Sequence, residues 1–478
     1  MYASFDNTVP WTDTAGDPIH AHGGGILAHE GYYYWFGEDR RGANRVSCYR
    51  SADLVNWEFR RTVLTVDSPR GPLYYRTDLD MAVQDGEGRI TAYCNIERPK
   101  VLFNRQTGKF VMWMHYENGL DYSAARCAVA TCDTPDGAYV YHGSFNPCGQ
   151  MSRDCTLFLD DDGTAYFLSA ARDNADLNLY RLSADYLSVD AHIRTLWPDQ
   201  YREAPAVVKH GGLYYIVTSG CTGWPPNQGM YSYTSDLAGP WSVPVPLGDE
   251  TTYDSQPAFI LPVEGPNGRT YLLFGDRWDP CAYERSSYVV LPLAFDGPGC
   301  LRLEWQERVA PDGTGMDGRM RTSDIPEGRC RMRGHRADRY LAAGKGAEGA
   351  GPAWARLSYG DESLVWQVVR GPGDSITVRH EASGLYLSAA VAEAGGYAAE
   401  LDPRACEWKL HRLEGRWVKL VHAPSGLALT DTGEEGLRLS PLVAADTSRW
   451  LGGYRYGMPD PQAFLAAPVR NRISGPES

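Results

Sequence analysis

The chain has 478 residues, with 60 Asp and Glu against 46 Lys and Arg, a formal charge of −14 and a pI near 5.3. That balance excludes the basic face a nucleic acid or an acidic membrane surface requires, and the length is too great for one ordinary core, so two or three domains are expected. No run of 18 apolar residues offers a membrane span and the first residues lack a basic-then-apolar leader, so neither nucleic acid nor membrane is expected as a partner.

In chain order, one unit recurs: an apolar strand, a tight polar turn, then an aromatic strand. It reads "GGGILAHEGYYYWFGE" at 23–38, "RPKVLFNRQTGKFVMWMH" at 98–115, "DCTLFLDDDGTAYFLSA" at 154–170, "APAVVKHGGLYYIVTSG" at 204–220 and "QPAFILPVEGPNGRTYLLFGDRW" at 256–278. Further strands follow most copies, with signatures such as "SADLVNW" at 51–57 and "SDLAGPW" at 235–241. Five such groups predict an all-β protein whose residues 1–310 form a five-bladed β-propeller. Residues 311–327 have the Gly, Pro and charge content of a linker. Beyond it Trp366, Trp408 and Trp450 stand 42 residues apart, each preceded by a hairpin pattern ("DRYLAAG", "SGLYLSAA", "SGLALTDT"), which predicts a β-trefoil over 328–455 with 456–478 as a tail.

The first strand of each propeller blade lines the central channel, so the residues that open these strands share one funnel. They are His20 and His22, Glu97 and Arg98, Arg153 and Asp154, Arg202 and Glu203, and Ser255 and Gln256. A single such charge is most often a solvated loop residue, but five in register predict a polar ring. His20 and His22 alone do not make a metal site, which needs two or three converging ligands, so no metal and no cofactor is expected. The eleven cysteines are scattered singly through apolar strands without a C-x-x-C pair, giving the expectation of free thiols and a cytoplasmic location.

Residues 11–305 resemble glycoside hydrolase family 43, and within it subfamily 24, the exo-β-1,3-galactanases. The motifs that carry the resemblance are "DTAGDPIHAHGGGIL", "YYYWFGE", "ERPKVLFN", "SRDCTLF", "REAPAVVK", "TSGCTGW", "DSQPAF" and "GDRW", in order across all five blades. The resemblance implies an inverting exo-acting hydrolase that releases galactose from β-1,3-linked galactan or oligosaccharides. It makes Glu203 the general acid and Asp154 the carboxylate that raises the acid's pKa and orients it. The usual base aspartate of blade one is replaced here by "HAHGGG", and the resemblance passes the water to Gln256, acting by position or through its imidic acid tautomer. It places Glu38, Glu97, Tyr122, Asn174, Thr222 and Arg277 on the terminal galactose, with Trp224 available to stack on a sugar face; for Tyr122 and Trp224 plain core packing is the competing reading.

The segment 328–455 resembles the ricin-B-like carbohydrate-binding modules of family 13, although "LVW", "CEW" and "SRW" stand where that family has Gln-x-Trp. A second sugar site and a purely structural lobe are both open for it. Two alternatives accompany the galactanase reading: an arabinofuranosidase or galactofuranosidase of the same family, and a non-catalytic carbohydrate-binding protein. Glu203, Asp154 and Gln256 standing together speak against the last.

Overall fold

The structure, a computed structural model, describes residues 3–468 apart from 74–76, 266–267, 280–282, 317–324, 326, 335–338, 344–350, 357–361, 393–395, 413–416, 432–436 and 443–461. The chain forms two compact units whose main boundary falls between residues 319 and 320.

The first unit contains five four-stranded antiparallel sheets, each made of consecutive strands. Their first strands are His22–His29, Asn95–Asn104, Cys155–Leu159, Arg202–His210 and Gln256–Gly265, and these pack on one another around the ring, blade one against both blade two and blade five. This is the expected five-bladed propeller. Alternating apolar side chains fill the spaces between blades; Trp35, Trp57, Trp113, Phe36 and Phe167 are fully buried there. The ring is closed by Phe5–Asp6 pairing with Arg308–Val309. Beside that pair the Asn7 side chain acts as a short strand of its own, donating to the Val290 and Gln306 carbonyls at 2.8 and 2.9 Å and accepting from Val290 N at 2.9 Å. A small hairpin, Ala82–Gln84 with Ile90–Tyr93, is inserted ahead of blade two.

A local rule aims the residues at the strand openings. Pro99, Pro205 and Pro257 have no N–H to give a ladder, so pairing slips beside them: between Glu97 and Lys100, Glu203 and Ala206, and Pro257 and Phe259. Arg98 and Ala204 sit in the left-handed region at φ 50° and 53°. Blade one reaches the same bulge with Gly23 at φ +58°, where a Cβ would come within 3.2 Å of the Arg98 side chain.

In the second unit six strands close into a barrel. Gly328–Gly334 pairs with Trp366–Arg370, then follow Ser375–His380, Trp408–Arg412, Val418–His422 and Ala463–Pro468, which pairs back to Gly328–Gly334. Two lobes repeat bond for bond at the 42-residue spacing. Trp366 and Trp408 donate to the carbonyls of Leu341 and Leu387 at 2.8 and 2.9 Å, and His380 and His422 hold Ser383 and Ser425 at 2.8 Å. Both arrangements fit the trefoil expectation; Trp450 lies outside the described residues. Two boundaries differ from the sequence reading. Ile325, inside the expected linker, is fully buried in the second core. Ala463–Pro468, inside the expected tail, is a barrel strand, because its backbone supplies the partner that closes the ring.

Candidate active site

The openings of blades two to five converge on Glu203. Its carboxylate is buried and held from both sides: Asn174 Nδ2 donates to Oε2 at 3.0 Å and Gln256 Nε2 to Oε1 at 3.0 Å. The Gln256 amide is fixed in one orientation, since its Oε1 accepts from two groups that can only donate, Arg98 Nη2 at 2.5 Å and Trp278 Nε1 at 2.9 Å. The remaining Nε2 hydrogen goes to Ser219 Oγ at 3.0 Å. Asp154 reaches the group through Arg98, whose Nε lies 2.8 Å from Oδ2, and through the Ala204 N–H at 3.2 Å. Burial and then the Asp154 charge push the Glu203 carboxyl up to about 8, with Arg98 pulling the other way. A carboxylic acid that keeps its proton at neutral pH, in a funnel, is equipped to protonate a leaving oxygen.

A second cluster adjoins it. Arg40 Nη2 bridges Glu38 Oε2 at 3.1 Å and Glu97 Oε1 at 2.6 Å, and Tyr122 OH donates to the same Glu97 oxygen at 2.6 Å. Burial raises the Glu38 carboxyl to about 7 against the pull of Arg40. Burial acts on Glu97 the same way, but Arg40, His115 and Tyr122 together hold it well below the usual carboxylate range. Behind Glu97 the buried His115 ring lies between two carboxylates, Nδ1 at 3.1 Å from Glu97 and Nε2 at 2.9 Å from Glu117; despite burial, Glu117 and Glu97 raise it to about 9. Ligand atoms of Glu97, His115 and Asp154 lie within 4.8 Å of one another, a spacing a metal could use. Arg40, Arg98 and a protonated His115 already compensate those carboxylates, so an added cation would meet positive charge.

Tyr122 and Trp224 are 44% and 36% exposed as residues, more than core packing allows. Trp224 meets Trp278 edge-on at 5.8 Å, with the Arg40 guanidinium 5.9 Å from its ring. The Thr222 hydroxyl is turned into its own loop, donating to Pro225 O and accepting from Asn227, both at 2.7 Å. The Arg277 guanidinium donates to the carbonyls of Asn7 and Tyr253 and lies 5.1 Å over Trp305. His22 is fully buried against Asp276 and Tyr288, at 3.1 and 3.4 Å, as a structural role around the channel would require. Sequence reasoning did not assign Arg40, Ser219, His115 or Glu117. Arg98 was placed in the polar ring without a catalytic role and Trp278 stood inside a quoted motif without one; their positions in "ERP" and "GDRW", at strand ends that face the channel, were the available signal.

Two of these side chains are delivered by unusual backbone. Arg172, Asp173 and Asn174 are consecutively left-handed at φ 48°, 53° and 66°, and so are Thr252, Tyr253 and Asp254 at 52°, 57° and 59°, just ahead of Gln256. Each such residue costs about 1–2 kcal/mol, and L residues adopt the conformation singly as a rule, so runs of three persist only where the surroundings hold them.

A propeller with a buried proton-holding glutamate in a carboxylate-lined funnel defines a glycoside hydrolase, and the chain belongs to glycoside hydrolase family 43. The model of glycosyl hydrolases family 43 matches residues 102–256. An exo-β-1,3-galactanase from Clostridium thermocellum is 35% identical, with 98% of this chain and 100% of that one covered at a TM-score of 0.59. An exo-β-1,3-galactanase from Phanerochaete chrysosporium, solved with galactose, is 29% identical over 86% of this chain and 94% of its own, TM-score 0.58. A glutamate-to-glutamine variant of the Phanerochaete enzyme, solved with β-1,3-galactotriose, aligns over 98% of this chain and 100% of its own at 26% identity and a TM-score of 0.58. No curated protein matches the chain.

Proposed function

We propose that the protein is an exo-acting, inverting β-1,3-galactanase in which Glu203 is the general acid. The observation that carries the reading is the Glu203 carboxyl, buried beside Asp154 and kept protonated to about pH 8, in a chain akin to β-1,3-galactanases over nearly its whole length. Asp154 sustains the proton, Glu38, Glu97 and Tyr122 offer hydrogen bonds to the hydroxyls of a terminal galactose, and Trp224 offers an aromatic face at the mouth. Gln256 handles the attacking water. In the free site its amide is bonded to Glu203, so a sugar entering between them must part the two, freeing Nε2 on one face of the anomeric carbon and the acid on the other. The ten cysteines of the described residues are free thiols, which accords with a reducing compartment and a cytoplasmic enzyme acting on short oligosaccharides. The barrel unit is proposed as a ricin-B-like trefoil of carbohydrate-binding type.

A second reading for the water rests on Glu38, whose carboxyl at about 7 is better matched to a base near neutral pH than the strongly held Glu97. One set of assays tests both. β-1,3-galactobiose and nitrophenyl β-galactoside are expected to be cleaved with release of α-galactose, and nitrophenyl arabinofuranoside and galactofuranoside to be poor; the reverse preference overturns the galactanase reading. On the aryl galactoside Gln256→Ala should be crippled, whereas a carboxylate base would leave it substantially active. If instead Glu38→Gln or Glu97→Gln is inactive and azide restores turnover with glycosyl azide as product, a carboxylate is the base.

A further inference from the structure

We infer that Arg277 is a positioning residue for Gln256, acting through the left-handed turn Thr252–Asp254, and not a contact to the terminal sugar. The inference rests on the reading that Gln256 handles the water.

The turn is held at every residue. Thr252 Oγ1 donates to Asn227 O at 2.8 Å and accepts from Gly229 N at 2.7 Å. Tyr253 N donates to the Asp249 carboxylate at 2.6 Å, and Tyr253 OH to Leu303 O at 3.0 Å. The carbonyl of Tyr253, the middle residue, points away from any strand ladder and is met by the fork of Arg277, Nε at 3.2 Å and Nη2 at 3.1 Å. The third arm of the guanidinium, Nη1, donates to Asn7 O at 2.6 Å, and the plane lies over Trp305, so the fork itself cannot swing. Ser255 then donates from Oγ back to Thr252 O at 2.5 Å, and the next residue is Gln256. Gln256 carries four hydrogen bonds of 2.5 to 3.0 Å, and such bonds weaken steeply with small displacements.

Without the fork, the Tyr253 carbonyl loses the two donations from Arg277, in a backbone conformation that L residues leave when they can. The peptide that follows it rotates, the turn relaxes, and the Gln256 amide moves relative to Glu203. Lysine substitutes only in part: a single ammonium does not span the Tyr253 and Asn7 carbonyls as the planar fork does.

The test is steady-state kinetics of the full chain on nitrophenyl β-galactoside, with product inhibition by galactose, for wild type, Arg277→Lys, Arg277→Met, Gln256→Ala and the double variant Arg277→Met with Gln256→Ala. Misplacement of a reacting group by about 1 Å costs on the order of 100-fold, so Arg277→Met is expected to lose about 10- to 100-fold in kcat and Arg277→Lys less. Galactose inhibition should stay within about threefold, because no sugar contact is removed. The double variant should be no slower than Gln256→Ala alone, since Arg277 acts only through that residue. If Arg277→Met fails to fold, Arg277→Lys carries the same comparison. The inference is overturned if the folded variants keep wild-type kcat, if galactose binding weakens in step with kcat, or if the two losses multiply. An active Gln256→Ala overturns the reading of Gln256 itself, and a wild type inert on the galactoside overturns the galactanase reading; neither result resembles the other three.

Discussion

Glu203 owes its chemistry to two neighbours that act in opposite senses. Burial and the Asp154 charge raise its carboxyl to about 8 from an ordinary 4.5, while Arg98 opposes them. In the proposed role of general acid Glu203 acts in its acid form, so turnover on a substrate with a poor leaving group should hold through neutral pH and fall as pH rises through about 8. Asp154→Asn removes one raising charge and leaves Arg98 with less compensation; both changes lower the Glu203 pKa. The alkaline limb of kcat should therefore move down by about one pH unit, the usual scale of a close charge. A limb that stays in place or moves up would mean that Asp154 does not act on the acid by charge. At this scale the sequence was informative about residues that open inner strands, because their position follows from the repeat. It was uninformative about those set by a side chain crossing between blades. Arg40 joins Glu38 and Glu97, 57 residues from the latter, and nothing local in "GEDRRG" announces that bridge. Arg277 was read as a sugar contact from its motif alone, and nothing local in "GDRW" announces its hydrogen bonds to the carbonyls of Asn7 and Tyr253.

The strands themselves were legible, since apolar runs, Asp-Gly and Gly-Gly turns and aromatic returns state a period of two and a hairpin wherever they occur. The bulges were half legible. The Glu-x-Pro pattern at 97–99 and 203–205 implies a break in the ladder, but the left-handed residue between Glu and Pro does not follow from its identity, since Arg98 and Ala204 have no preference for that region. Gly23 is the exception in which residue type and conformation agree. Gly23→Ala should destabilise by about 1–2 kcal/mol for the left-handed φ. Its Cβ would also press on the Arg98 side chain, which ties Asp154 to Gln256. A drop in kcat of about tenfold or more in a variant that still unfolds cooperatively is expected; unchanged kcat would show that Arg98 tolerates displacement. The triplets that end at Asn174 and precede Gln256 were barely legible: Asp173, Asn174 and Asp254 tolerate the left-handed region singly, but runs of three are imposed by distant partners such as Asp199, Asn227 and Arg277.

At the scale of the molecule, the repeat made the architecture readable and the closures hid from it. Five copies of one motif define five blades, and Trp366 and Trp408 at 42 residues define two lobes with identical hydrogen bonds. What seals each ring is a short segment with no repeat to mark it: Phe5–Asp6 and Asn7 in the propeller, Ala463–Pro468 in the barrel. The ring in turn brings blade openings far apart in sequence to one carboxyl group, with Asn174 and Gln256 on its two oxygens. The claim that this carboxyl is the general acid of a galactanase is tested most directly by the turnover of Glu203→Gln on β-1,3-galactobiose set against nitrophenyl β-galactoside. Loss of general acid catalysis is expected to slow the disaccharide by on the order of 10² to 10⁴, while the aryl galactoside, whose leaving group needs little protonation, is slowed far less. Near wild-type turnover of the disaccharide by that variant would contradict the account.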